Sequence, residues 1–175
     1  MTGRVPENIA VEIAQNVPSL RRFARALCGD PSLADDLVQD TVERALNKSH
    51  LYDPSRPLKA WLFAILRNLH ISELRRVGRG RIVKTVDEMA PAEQAIDGGQ
   101  DSQVGVRSIA QALERLPEPN REVILLIALE DMSYRDCAEI IGVPVGTIMS
   151  RLSRGRAALR DLLEGREKPS LRRIK

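Results

Sequence analysis

The tripeptide Gly142-Val143-Pro144 constrains the fold of this chain more than any other feature. Glycine ends a helix cheaply in the left-handed conformation, and proline starts the next one. The stretch SYRDCAEIIGVPVGTIMSRLSRGRAAL (Ser133–Leu159) therefore reads as two helices joined by a sharp turn, with Ser133 as the N-cap of the first. On a wheel at about 100° per residue, Val145, Ile148, Leu152, Leu159 and Leu162 fall on one side of the second helix and face a core. Gly146, Ser150, Ser153 and Ala157 fall opposite. Thr147, Arg151 and Arg154 flank this small-residue stripe on one edge, Met149, Arg156 and Arg160 on the other. Small residues let a helix backbone sink into a groove, and cations on both edges suit the two phosphate walls of a DNA major groove. A lone arginine-faced helix would read more simply as a solvated surface. The capped first helix, the turn and the two-sided arginines together favour DNA. Gly155 falls on the core face, where glycine costs about 1 kcal/mol relative to alanine; close packing against the preceding helix is the expected compensation.

A DNA reader of this kind leaves most of the 175 residues unexplained. Two helix-rich blocks, from about Pro18 to Arg76 and from about Val106 to Leu163, flank a different middle. That middle, VGRGRIVKTVDEMAPAEQAIDGGQDSQVG, begins basic and becomes wholly acidic, with no Lys or Arg from Thr85 to Val106. It reads as a linker without a core of its own. Hydrophobic residues reach 43% while aromatics are 3%, a balance suited to helices packed through Leu, Ile, Val and Ala. The expected fold is all-α: two small helical domains at 1–77 and 106–175, joined by a flexible acidic linker at 78–105, the second containing the helix-turn-helix.

Within the first block Asp30-Pro31 opens a helix in which Leu37, Val38, Val42, Ala45 and Leu46 form an apolar stripe. Opposite lie Asp36, Gln39, Asp40 and Glu43. Three carboxylates on one stripe repel phosphate, so this face points away from DNA and suits a basic protein surface. After the loop YDPSRP, Leu58, Trp61, Leu62, Ile65, Leu66 and Leu69 recur at helical spacing, and Ala60, Phe63, Ala64 and Ile71 cover much of the other side. A helix apolar nearly all round should be sandwiched between neighbours. It runs into the basic cluster LRRVGRGR (Leu74–Arg81). Aromatics beside a basic track suit stacked single-stranded bases; Trp61 lies on the core stripe, which leaves Tyr52 in the loop as the stacking candidate. In the second block the apolar run Val123–Leu129 is read as helix, because no strand partner exists for it.

Several function classes fall away. Cys28 and Cys137 are far apart, and His50 and His70 are isolated, so no disulfide framework, metal site or cofactor site is expected, and a reducing cytoplasm is the natural compartment. The longest apolar run is too short for a bilayer, so no membrane insertion is expected. No nucleophile–base pair or phosphate loop marks an enzyme.

Four segments, LRRFARALCGDPSLADDLVQDTVERAL, RPLKAWLFAILRNLHISELRR, LERLPEPNREVILLIALEDMSY and GVPVGTIMSRLSRGRAALRDLL, resemble in order the group-four (extracytoplasmic-function) sigma factors of bacterial RNA polymerase. Within that family the general-stress type of alphaproteobacteria is the most similar. The resemblance implies an alternative sigma factor that binds core polymerase and directs promoter-specific initiation, with stress-response genes as its targets. Domain two would dock Asp36, Gln39, Asp40 and Glu43 on the clamp helices of the polymerase largest subunit and melt the minus-ten element. The loop around Ser49–Arg56 would capture an extruded base, Asn68 would border that pocket, and Arg75–Arg81 would hold phosphates. The minus-ten set is thus Tyr52, Arg56, Arg67, Asn68, Arg75, Arg76 and Arg79. Domain four would read the minus-thirty-five element through Thr147, Met149, Ser150, Arg151, Ser153, Arg154 and Arg156. The implied partners are core polymerase (clamp helices and flap), promoter DNA and a separate anti-sigma factor. Met149 stands where the family often has Lys or Arg, and Gly155 where alanine is common. The rival readings are a stand-alone helix-turn-helix regulator, which would need a dimerisation face, and a sigma-like decoy for an anti-sigma factor, against which the retained arginines argue.

Overall fold

Local side-chain chemistry sets most of the helix ends in the computed structural model, which describes residues 8–80 and 100–165. The first helix, α1 (Ile9–Cys28), stops at Gly29, whose φ of 72° lets its N–H turn back to the Arg25 carbonyl. It begins earlier than the expected start of the block near Pro18, which lies inside it. A proline here forfeits a backbone hydrogen bond at about 3 kcal/mol. Pro18 and Ala14, whose carbonyl loses its donor, are both exposed, so water can reach the freed group. The buried stripe Ile13, Leu20, Phe23, Ala24 and Leu27 holds the helix together across the proline.

Helix α2 (Pro31–Asn47) is capped by Asp30, whose carboxylate accepts from the N–H groups of Ser32 (2.8 Å) and Leu33 (3.1 Å). Leu37, Val38 and Ala45 are buried as expected, whereas Leu46 is exposed. The loop before α3 (Leu58–Gly80) is braced by the Asp53 carboxylate, which accepts from the Ser55 N–H at 3.0 Å. In α3 Leu62, Phe63 and Leu66 are wholly buried, and the ring of Phe63 meets Phe23 edge-on at 5.0 Å. The expected sandwich is present, but one of its layers comes from the far half of the chain. Helices α1 and α2 pack against α3, and so does α6.

The second group comprises α4 (Gln100–Glu114), α5 (Glu118–Ile124), a π-helical turn (Leu125–Leu129), α6 (Tyr134–Ile141) and α7 (Val145–Leu163). The linker is therefore shorter than expected: residues 78–80 continue α3, and 100–105 belong to α4. Its central part, 81–99, and with it Arg81, lies outside the described residues. The Val123–Leu129 run is helical, but its second half is wound wide, so that the Glu130 N–H reaches back five residues to the Leu125 carbonyl. Ser133 caps α6, accepting from the Asp136 N–H at 3.1 Å, and Gly142 ends it at φ 75°.

Among the described residues every regular element is a helix. The buried side chains of the two groups join in one continuous apolar cluster. The two domains are closed against each other.

Candidate nucleic-acid interface

Helix α7 presents the face read from the sequence, with two adjustments. Ile148 and Leu152 are buried and Leu159 and Leu162 half-buried, but Val145, in the first turn, is 41% exposed. Gly155 is buried, and a Cβ built there would lie 2.8 Å from Ile124 Cδ1 and 3.3 Å from the Asn120 carbonyl oxygen. The close partner is thus α5, two helices back. The opposite face is open: Gly146, Met149, Ser150, Ser153, Arg154, Arg156, Ala157 and Arg160 are exposed, with Met149 at 54%. Thr147 and Arg151 are half-buried at its edge. The Ser150 hydroxyl donates to the Thr147 carbonyl, and Arg154 Nε donates to the Ser150 carbonyl at 3.2 Å, which holds the guanidinium along the helix. Tyr134 of α6 joins Met149, Leu152 and Ala157 to line a shallow groove with Arg156 and Arg160 on its rim.

On the other group, Asp36, Gln39, Asp40 and Glu43 are all exposed along one side of α2. Asp35 beside them, outside the set, is engaged by Arg21 at 3.1 Å and Arg25 at 3.2 Å.

The expected minus-ten set does not form one surface. Tyr52 is half-buried: its ring tilts against Trp61 at 5.3 Å and its hydroxyl donates to the Arg56 carbonyl at 2.7 Å. It packs the loop against Trp61 of α3, which is itself seated on the core. Arg56 is exposed, 3.6 Å from Glu139 of α6. Asn68, Arg75 and Arg76 are exposed on α3, with Arg76 held by Glu73 at 2.6 Å. The side chain of Arg79 lies outside the described residues. Arg67, next to Asn68, is aimed elsewhere. It is 18% exposed and its Nε donates to buried Glu122 of α5 at 2.6 Å. Burial pushes the Glu122 carboxyl up, and Arg67 pulls it down in part.

Sequence reasoning missed the residues that join the two domains. Glu130 follows the π turn and its side chain is fully buried. Arg22 of α1 meets it with two parallel bonds of 3.0 Å, Nε to Oε1 and Nη2 to Oε2. Lys59 of α3 donates to its backbone carbonyl at 2.6 Å and lies 3.2 Å from its carboxylate, and the Ser19 hydroxyl also donates to it. His70 is buried nearby, with Glu118 Oε1 3.4 Å from Nε2 and Cys28 Sγ 3.7 Å from Nδ1. Burial lowers the imidazole's pKa against the opposing pull of Glu118. The same burial pushes the Cys28 thiol up to about 11 and that of Cys137 to about 12, so neither is a ready nucleophile. No local pattern could have revealed these pairings, because Arg22 and Glu130 lie 108 positions apart.

Comparison with known proteins follows the same division. The family description "Sigma2 domain of PhyR" matches residues 13–67, and "Sigma-70, region 4" matches residues 107–159. The ECF RNA polymerase sigma factor EcfG of Rhodopseudomonas palustris is 40% identical over 157 residues, covering 90% of this chain and 86% of its own length. The sigma factor RpoE of Bartonella quintana, solved with the anti-sigma factor NepR, superposes with a TM-score of 0.79 at 37% identity, over 90% of this chain and 98% of the other. CnrH, solved with the cytosolic domain of CnrY, gives a TM-score of 0.65 at 29% identity, over 89% and 87%.

Proposed function

The chain belongs to the extracytoplasmic-function (ECF) family of RNA polymerase sigma factors, and from that premise we propose how its two domains divide the work of promoter-specific initiation. Residues 1–77, with the minus-ten set of Tyr52, Arg56, Arg67, Asn68, Arg75, Arg76 and Arg79, engage the opened minus-ten element. Residues 106–175 carry the reading helix α7, which enters the major groove of the minus-thirty-five element with Thr147, Met149, Ser150, Arg151, Ser153, Arg154 and Arg156. Asp36, Gln39, Asp40 and Glu43 dock on the clamp helices of the polymerase largest subunit. The second domain meets the flap. The acidic segment 78–105 joins the two.

The observation that carries this reading is the segregation of charge. The exposed carboxylates of α2 gather on one face, and the arginines of α7 flank a small-residue face on the other domain. Phosphate is repelled by the first and attracted by the second, so one face suits a basic protein and the other a duplex. The chain itself performs no covalent step; polymerase supplies the catalysis. Capturing an unstacked base offsets part of the few kcal/mol needed to open the duplex. Two weak promoter contacts on one chain reinforce each other through effective concentration.

Control by an anti-sigma factor is supported by RpoE of Bartonella quintana, which was solved with the anti-sigma factor NepR. Stress-response genes remain the proposed regulon, on the resemblance of the four sequence segments to the general-stress type.

The test is transcription in vitro with purified core polymerase. The chain should confer initiation on a promoter library. Asp40→Lys combined with Glu43→Lys should keep the helical fold, measured by circular dichroism, and abolish holoenzyme formation on a sizing column. Normal holoenzyme with that variant removes the clamp assignment.

A further inference from the structure

The contact between the domains is built from charges in an unusual arrangement. Among the ion pairs described across it, the cations come from the first domain and the carboxylates from the second. Arg22, Lys59, Arg67 and Arg56 meet Glu130, Glu122 and Glu139. Two of those carboxylates, Glu130 and Glu122, are buried. Two of the cations, Arg56 and Arg67, belong to the minus-ten set. Phosphate and carboxylate compete for the same guanidinium geometry.

Size sets a second condition. A compact body of this many residues is roughly 40 Å across. Elements 25 base pairs apart, as minus-ten and minus-thirty-five are named, are separated by roughly 85 Å of duplex. The closed molecule cannot reach both at once. The reading face of α7 is nevertheless open in the closed form, so closure covers part of the first domain's DNA-binding set and leaves the second's free.

We propose that Glu122, Glu130 and Glu139 of the second domain act as an internal competitor of promoter DNA, holding the free chain closed by occupying Arg22, Lys59, Arg56 and Arg67 until the domains are drawn apart. This rests on the minus-ten assignment above, and only for Arg56 and Arg67. The Arg22–Lys59–Glu130 lock is the centre of the contact and lies outside every assigned polymerase- or DNA-binding set. Its geometry is specific: two parallel bonds from Arg22, one from Ser19 and one from Lys59 converge on a single residue. Lys59 is further seated over the Phe63 ring, 5.7 Å from its centre.

The experiment uses the full chain and reverses the two cations, Arg22→Glu with Lys59→Glu. Both heads are partly solvent-exposed, so the domains should fold. Small-angle scattering should show the wild type compact and the variant expanded. Affinity for a fluorescent single-stranded DNA pool of randomised sequence should rise about tenfold if the open form goes from a tenth of the molecules to nearly all. The variant has lost positive charge, so a gain in DNA affinity cannot come from bulk attraction. Adding Glu130→Lys to the pair should restore the compact form and the weaker binding. Glu130→Lys alone, read by scattering only because it adds positive charge, repeats the test of closure from the other side of the contact, should the first variant fail to fold. Equal dimensions for wild type and variant overturn the proposal, as does expansion without any gain in binding. These readouts need no polymerase. A chain that opens as described but never activates core polymerase would refute the proposed function and leave the lock standing.

Discussion

Gly155 and His70 show how a single position carries information about its neighbours. At Gly155 two effects oppose: alanine would favour the helix by about 1 kcal/mol, while a methyl 2.8 Å from Ile124 Cδ1 and 3.3 Å from the Asn120 carbonyl requires the Ile124 side chain to turn and the α5 backbone to yield slightly. Overpacking of this kind costs about 1–3 kcal/mol, and so should win. Gly155→Ala is expected to lower stability in urea titration by about 1 kcal/mol, and Ile124→Val in the same chain to recover part of that loss. His70 makes a pH prediction. Buried among Glu118 and Arg121 of α5, Arg67 of its own helix and Cys28 of α1, it has a folded pKa below the ordinary 6.5. Below 6.5 the unfolded chain therefore binds the extra proton first, and stability falls as the medium is acidified. Glu122 works the other way: its raised pKa lets the folded form take up a proton above 4.5, which favours folding as pH falls. The difference between wild type and His70→Gln isolates the histidine. Between about pH 7 and about pH 5.5 the wild-type melting temperature should drop further than that of the variant; parallel curves would show that His70 does not titrate with unfolding.

Among the helices, α1 carries its own test. Pro18 interrupts the backbone ladder on an exposed side, so Pro18→Ala should raise stability, by up to about 3 kcal/mol if the restored hydrogen bond forms without disturbing Ser19. A variant no more stable than the parent in thermal unfolding would mean that the Pro18 ring contributes as much to packing as the restored hydrogen bond does. The same helix shows what could be read before the fold was known. Asp30, Ser133 and Gly142 act within four residues of themselves, so their capping roles were legible as local chemistry. The start of α1 ahead of Pro18 was not legible, because the stripe Ile13–Leu20–Phe23–Leu27 that carries the helix through the proline has no local marker. In α7 the wheel separated inner from outer faces correctly except at Val145, where the first turn lies beyond the reach of the core. The acidic stripe of α2 was fully legible because one amphipathic helix defines it. Tyr52 was not: nothing near it announces that Trp61 and the Arg56 carbonyl would engage it.

Across the whole molecule the two domains share one apolar cluster as well as the charged contact, although each is recognisable by itself. Pairings such as Arg67–Glu122 and Arg22–Glu130 depend on how two helical groups meet, which no periodicity within either group encodes. Joined cores should melt together. Calorimetry of the free chain at low ionic strength is expected to give a single transition. Arg22→Glu with Lys59→Glu should split it in two, since each domain then loses the partner that buried its face. Two transitions already in the wild type would mean that the domains are energetically independent. Added salt should act in the same direction as the substitutions, though more weakly, because Glu130 is shielded while the heads of Arg22 and Lys59 reach solvent.

The π turn at Leu125–Leu129 has a consequence for what changes of length this chain tolerates. Its wide winding works as an inserted residue, advancing everything after it by about 100° of rotation. Removing one residue there would restore an ordinary ladder and swing Glu130 off the axis along which Arg22 and Lys59 reach it. The same shift would reset the aim of α6 and, through Gly142, of α7. Residues 120–132 should therefore accept exchanges of side chain far more readily than any insertion or deletion.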